Sequence, residues 1–396
     1  MEMEVADLKA ETVRIADSYG GIREILKQLD PTNIKILTTM AKLGPRNLLD
    51  VARHCGIPFT TVHHRIAQIE AKSKQIGIVI PSVARIGMVR LVVLAAAAAG
   101  EERDVTEALK LPNLWRAIER CEGAFTHHTV QIVPRALLKS FKEYVARMAE
   151  MNMLKSYRIL ATGDSVSNFP DYSSYNTNTG EWTFDWDGWM RELNDGKPPT
   201  RSIADPDEES VVDIDKIDLQ IIEEFEKNAR VNFTDVARAL NVSPQAVKHR
   251  YDSKLVPSGL MNAIQFDVHP YPVEMAAWHD VMLQFTSSEA MNKFFSLVEK
   301  LFFVFTVSKV LRQNALFVRT NTLHTQVAQM FDFFSQMAKR GLIESYSAVR
   351  LHMGTRDMQT ISSELFDDHT KEWAWNSDEY LTRLNVIRDE IQSQHA

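Results

Sequence analysis

The chain has 396 residues, a net charge of −7 and only two cysteines, Cys55 and Cys121. That length allows two to four domains with real cores. The two thiols exclude a disulfide framework and suit a reducing compartment, and the acidic balance argues against a non-specific coat for nucleic acid. Hydrophobic and charged fractions of 45% and 24% are those of a soluble globular chain. Met1 to Asp30 is charged throughout and reads as no secretory leader. The apolar run Leu91 to Ala99 is too short to cross a bilayer. The expectation is a cytoplasmic protein with no membrane partner.

In chain order, residues 1–29 read as a helical lead-in interrupted by Gly20-Gly21. Residues 30–84 read as a winged helix-turn-helix. Its first helix carries apolar residues at Ile34, Leu37, Met40 and Ala41. Asn47 caps the second helix, and Gly56 takes the left-handed turn. Val62 faces inward from the third helix, and residues 75–81 form a wing strand. Residues 85–165 alternate strand and helix: strand 89–96, helix 105–111, strands 115–119 and 125–133, helix 135–151, strand 156–160. That order is β-α-β-β-α-β, the ferredoxin-like arrangement. A Trp-rich tail follows at 166–195, and a Pro- and charge-rich linker at 196–212.

The chain then repeats itself. The seventeen residues from Asp50 to Ile66 return from Asp235 to Tyr251, 185 residues on, with seven identities and no gap. The identities are the Asp-Val-Ala-Arg block, one Val and a His-Arg pair. Further matches at offsets of 189 (Met148 to Tyr157 with Met337 to Tyr346) and 191 (Thr179 to Trp186 with Thr370 to Ser377) extend the duplication to the whole chain. The second half divides into a winged helix-turn-helix at 213–268, a ferredoxin-like domain at 269–355 and a Trp-containing tail at 356–396. In it, Leu219, Ile222, Phe225 and Glu226 echo the first helix, Asn232 takes the cap position, Asn241 the turn, and Ser243-Pro244 opens the third helix. Residues 259–264 read as a second wing. The fold class is α+β: two winged helix-turn-helix domains, each followed by a ferredoxin-like βαββαβ domain.

This build, with Ile217-Asp218-Leu219 leading to Asp235-Val236-Ala237-Arg238, then Val242-Ser243-Pro244, Val247 and Arg250, resembles the Lrp/AsnC family of feast/famine regulators. The resemblance implies transcriptional regulation, sheet-to-sheet self-association and a small-molecule effector. The glycine-acidic signature of that effector site is not kept at 309–314 or 120–124, so the effector stays open. Two unlike heads on one chain imply a single-chain pseudo-dimer that reads unequal half-sites on double-stranded DNA. Between Asp30 and Ile80 seven Lys/Arg stand against three acids; between Asp213 and Gln265 seven stand against eight, so the first head carries the clearer phosphate-binding footprint.

The residues expected at DNA are Thr60, Thr61, His63, His64, Arg65, Gln68, Lys72 and Lys74 in the first head. In the second they are Ser243, Gln245, Lys248, His249, Arg250 and Lys254. Arg65 and Arg250 stand where a recognition helix meets phosphate or a guanine edge. The residues that open the helix reach base edges, and the lysines meet phosphate.

No catalytic residue, metal or cofactor is expected. His127 and His128, adjacent on a strand, point to opposite faces and cannot easily share one ion, and no Cys or Glu stands at metal spacing. Two other classes stay open. Siroheme decarboxylases resemble the same two-domain build, although Phe125-Thr126-His127-His128 falls one strand late for their histidine and no porphyrin-binding arginine cluster is visible. The third class is an interaction module with degenerate helix-turn-helix units. The Trp-rich tails read as a clip over the sheets or, alternatively, as a partner or ligand surface.

Overall fold

A computed structural model describes residues 13–14, 24–73, 76–206, 211–261, 263–266 and 268–395. The Gly20-Gly21 break, most of the expected lead-in and Lys74 lie outside them.

Each head forms for local reasons. Helix α1 (Pro31–Leu43) starts where the Asp30 carboxylate accepts from the Asn33 amide and Pro31 takes the first helical position. It buries Asn33, Ile36, Leu37 and Met40, one step round from the expected stripe, and leaves Ile34 and Ala41 half-exposed. Helix α2 (Leu48–Cys55) is capped by Asn47 and stops on Gly56 at φ 61°, a conformation that needs little more than glycine or asparagine. Helix α3 (Phe59–Ser73) buries Val62, Ile66 and Ile69. The single wing strand β1 (Gly77–Ile80) follows.

The first ferredoxin-like unit is β2 (Met88–Ala97), α4 (Glu102–Lys110), β3 (Trp115–Glu122), β4 (His127–Pro134), α5 (Leu138–Glu150) and β5 (Leu154–Thr162). The alanine run is a strand, as the repeat predicts: eight residues of β2 pair with β4 on one side and eight with β5 on the other, and tertiary pairing overrides helix propensity. Helix α6 (Trp186–Leu193) closes this half.

In the second half, α7 (Lys216–Lys227) opens on a capping box of Asp215 and Asp218. Helix α8 (Phe233–Leu240) ends on Asn241 at φ 54°. Asn232 sits at its cap, but its side chain accepts no amide and donates to Asp235 instead. Helix α9 (Pro244–Arg250) is capped by Ser243. Then come β6 (Ala263–Phe266), β7 (Ala276–Phe285), α10 (Ser288–Leu297), β8 (Val304–Val310), β9 (Ala315–Leu323), α11 (Val327–Lys339), β10 (Ile343–Met358) and α12 (Ser377–His395).

The wings do not form two separate hairpins. Strand β1 of one head pairs antiparallel with β6 of the other, Gly77 opposite Phe266 and Ile80 opposite Ala263. Gly77 permits this approach, since a Cβ there would lie 2.7 Å from the Gln265 carbonyl oxygen.

Two four-stranded sheets, β3-β4-β2-β5 and β8-β9-β7-β10, join edge to edge. Arg350 to His352 and Asp357 to Met358 of β10 pair with β3, and Val310 of β8 pairs with Thr162 of β5. The ring of eight strands therefore closes, and no long sheet edge is left open. Each ferredoxin-like sheet finds its counterpart inside the same chain. Helices α4 and α5 cover the first sheet, and α10 and α11 cover the second.

The tails cross over. Tail 1 carries Trp182, Phe184, Trp186 and Trp189 onto Phe302, Phe303 and Phe333 of the second unit. Helix α12 of tail 2 packs on α4 and α5 of the first unit, with Trp375 edge-on to Phe141 and Tyr144. Each tail thus clips the other half, and the aromatic area it buries makes it part of the core.

Candidate functional site

The two heads are bolted together. Arg46, just before α2, donates to the carbonyl oxygens of Val231 (2.8 Å) and Ala229 (3.3 Å). Its guanidinium lies over Phe233 at 4.5 Å, Phe225 at 5.0 Å and Tyr251 at 5.4 Å. From the other side, Arg230 reaches Glu70 and the Pro45 carbonyl. Positions 45 and 230, like 46 and 231, are equivalent at the 185-residue offset, so each of these contacts joins equivalent positions across a pseudo-two-fold. With the shared β1–β6 ribbon they fix one recognition helix relative to the other.

The repeated Asp-Val-Ala-Arg block is explained by this packing. Val51 and Ala52, like Val236 and Ala237, are buried. The flanking Asp and Arg pair on the helix surface at 3.1 Å in both heads.

Of the residues expected at DNA, Thr60, His63, His64, Gln68 and Lys72 are exposed on α3 and Thr61 is half-buried. Ser243, Gln245, Lys248 and His249 are exposed on the other head. The Ser243 hydroxyl is engaged as the α9 cap, accepting from the Ala246 amide.

The two arginines behave otherwise. Arg65 donates to Asp30 at 2.6 Å, and Arg250 to Asp215 and Asp218 at 2.7 Å. In each head the arginine ties the recognition helix to the N-cap of the first helix, 35 residues back. Their identity in the repeat is accounted for by that internal bracket, and both side chains stay half-exposed. Lys254 pairs with Asp218 and Lys248 with Asp252, so the basic charge of the second head is neutralised within the head. Burial raises the Asp215 carboxyl, but the Asp218 amide and Arg250 outweigh it and hold its pKa below the ordinary value.

A second constellation lies inside the barrel, and sequence reasoning missed it. Glu119 and His128 face each other across β3 and β4; Asp280 and Arg319 do so across β7 and β9. The four meet at the centre, with Glu119, His128 and Asp280 at 1% exposure or less. Arg319 donates to Asp280 (2.8 and 2.6 Å) and to Glu119 (2.8 Å), and Arg356 takes the other Glu119 oxygen. The His128 ring nitrogens lie 2.8 Å from Glu119 and 3.0 Å from Asp280 but are not aligned for hydrogen bonds. Phe317 stacks on the ring at 5.9 Å.

Burial alone would raise the Glu119 carboxyl; Arg319 and His128 outweigh it and hold it below the usual range. Burial would likewise deprotonate Arg319, but Asp280 and Glu119 keep it charged. The signal available in sequence was Asp280 inside an otherwise apolar strand, because an acid on an inward face needs a partner.

Glu119, His128 and Asp280 bring ligand-type atoms within 4.8 Å of one another, so the absence of metal spacing in sequence did not keep such groups apart. The carboxylate oxygens that a cation would need are, however, already held by Arg319 and Arg356. The cluster is an ion-pair network in which the guanidinium groups stand in for a cation. His127 points the other way, as alternation requires, its ring nitrogen 2.8 Å from the Glu102 carbonyl under α4. Burial pushes its pKa down to about 4.

Cavities flank the cluster. A cleft of about 370 Å³ opens at one end of the barrel beside Tyr157, Arg158, Asp280 and Phe317. At the other end, beneath the wing ribbon, a cavity of about 120 Å³ is lined by Arg90, Arg116, Arg319 and Arg356. Four arginines far apart in sequence therefore converge, although no arginine cluster is visible in the sequence.

Heads and barrel together define a two-headed helix-turn-helix protein built by tandem duplication. A family model for the AsnC-type helix-turn-helix domain matches residues 214–253, and the second head is a domain of that type. No curated protein matches the chain. Among solved structures, the siroheme decarboxylase NirDL has the same fold over 91% of this chain and 99% of its own, at 12% identity and a TM-score of 0.50. Escherichia coli AsnC overlays 35% of this chain and 92% of its own, at 18% identity and a TM-score of 0.26. An AsnC family regulator from Agrobacterium tumefaciens overlays 34% and 89%, at 16% identity and a TM-score of 0.28. Among the described residues no helix is long and apolar enough to cross a membrane.

Proposed function

We propose that this chain is a sequence-specific, DNA-binding transcriptional regulator of the cytoplasm, acting as a single-chain pseudo-dimer. The observation that carries this reading is the bolted pair of heads. Arg46, Arg230 and the β1–β6 ribbon fix their geometry, while the outward faces of α3 and α9 stay exposed. A rigid pair of exposed recognition helices is what two half-sites on a duplex require. The two faces differ, with Thr60, His63, His64, Gln68 and Lys72 on one and Gln245, Lys248 and His249 on the other, so the site they read is asymmetric. Lys72 and, by sequence, Lys74 supply phosphate contacts from the first head. The second head, its bases paired internally, contributes shape and polar readout.

The test is binding of the full chain to pooled genomic fragments at about 50 and about 200 mM salt. Selective, salt-sensitive binding is expected. Gln245→Ala should relax discrimination by about 1–3 kcal/mol at its base, and Lys72→Ala should flatten the salt slope by about 1. No selective binding at either salt overturns the reading.

One observation favours a second reading, in which the chain binds a tetrapyrrole as siroheme decarboxylases do: the buried His128 set among converging arginines. Titration of the full chain with an iron porphyrin carboxylate, followed by its absorbance band, decides it. A stoichiometric shift that His128→Ala abolishes would move the function to that class.

A further inference from the structure

The 120 Å³ cavity beneath the wing ribbon gathers four arginines. Of its four arginines, Arg319 is satisfied by Glu119 and Asp280, and Arg116 by Glu226. Arg356 gives one nitrogen to Glu119, but its Nε is buried without an acceptor. Arg90 donates one nitrogen to the Thr162 hydroxyl at 2.7 Å, and among the described residues no carboxylate pairs with it. The only acid in the lining, Asp164, accepts from the Ser82 hydroxyl and the Val83 amide. Burial, with Arg319 alongside, pulls the Arg90 pKa down to about 10, although Asp280 and Asp164 oppose the shift.

Most of the remaining wall is apolar, with Ile80, Ile132 and Phe305 among it, and Ser165, Gln265 and Thr306 are its polar members. The space exceeds what one water needs and falls short of a drug-sized pocket of about 300 Å³ or more. We propose that the cavity is a binding site for a small anion with a short apolar body, a carboxylate or a phosphate monoester, held by Arg90 with Arg356 beside it. Its roof is the β1–β6 ribbon that joins the heads, through Ile78, Ile80 and Gln265, so an occupant braces the heads against the barrel. This last step rests on the regulator reading; the site itself does not.

Calorimetry and thermal unfolding of the full chain with butyrate, methyl phosphate and, as a neutral isostere, butyramide test the site without DNA. Saturable binding of an anion and a raised Tm are expected, with no response to butyramide. Arg90→Gln should weaken binding at least tenfold, Arg90→Lys less. Ile80→Trp fills the space and should abolish binding while leaving every charge in place, so it decides the matter if Arg90→Gln does not fold. No saturable anion binding, an equal response to butyramide, or binding unaltered by Ile80→Trp overturns the proposal. Repeating the DNA titration with the bound anion separates the two readings. Anion binding with no DNA binding upholds the site and fails the regulator. DNA binding that ignores the anion overturns the bracing step.

Discussion

The two halves share one topology yet offer the barrel interior opposite things. Strands β2 and β7 correspond at an offset of 188 residues, and β3 with β8 and β4 with β9 at 189. At those offsets Glu119 corresponds to Ser308, His128 to Phe317 and Arg90 to Trp278, while Asp280 corresponds to Val92 and Arg319 to Val130. Wherever one half places a charge, the other places a neutral side chain. Two copies of the first half would bury two glutamates and two histidines with no Arg319 between them. Duplication followed by complementary divergence therefore made each half the obligate partner of the other, and the crossed tails enforce the pairing.

Breaking that complementarity should have the largest effect. Arg319→Met leaves Glu119 and Asp280 buried without their shared cation and should cost about 3–5 kcal/mol, measured by denaturant unfolding. Phe317→Leu, against His128 of the same cluster but uncharged, should cost less than about 1.5 kcal/mol. Equal losses would mean that packing rather than charge joins the halves.

Acid should act next, and on both halves. His127 and His279 are both held near a pKa of about 4 by burial, against an ordinary value of about 6.5. Between those values the unfolded chain binds more protons than the folded one, so stability rises with pH across the window and is lost on acidification from about 6.5 to about 4. Each histidine contributes up to about 3 kcal/mol of that slope. His279→Leu, beside the ring of Phe331, should flatten the acid limb in unfolding curves at pH 4.5 and 7; an unchanged limb would place the slope elsewhere.

The smallest effects separate the heads. Arg65→Ala breaks one half-exposed ion pair and should cost about 0.5–1 kcal/mol. Arg250→Ala breaks bonds to Asp215 and to the buried Asp218 and should cost more, about 1–3 kcal/mol. If instead both variants keep full stability and lose DNA binding, these arginines are contacts after all.

Much of the fold was legible. Caps, turn residues and the repeated block place the helix-turn-helix units, because such signals act within a few residues. The second copy also corrected the local propensity of the alanine run. The two wing strands were expected one in each head, but their pairing was not foreseen, because β1 and β6 find each other across some 185 residues and no local pattern encodes that. Arg65 and Arg250, expected at phosphate or a guanine edge, are tied to Asp30 and to Asp215 and Asp218, contacts that the sequence did not show. A helix-surface arginine looks the same whether it faces phosphate or an aspartate 35 residues back, and only the packing of the heads shows which.

The sequence by itself determined the duplication, the α+β class, the helix caps and the exposed faces of the recognition helices, since these rest on short-range chemistry and periodicity. Only the tertiary structure decided the closed barrel, the crossed tails, the Glu119–His128–Asp280–Arg319 cluster and the arginine-lined cavity. Those depend on strand register and on contacts between residues 100 to 250 apart, where charge and hydrophobicity are visible in the sequence but their meeting place is not.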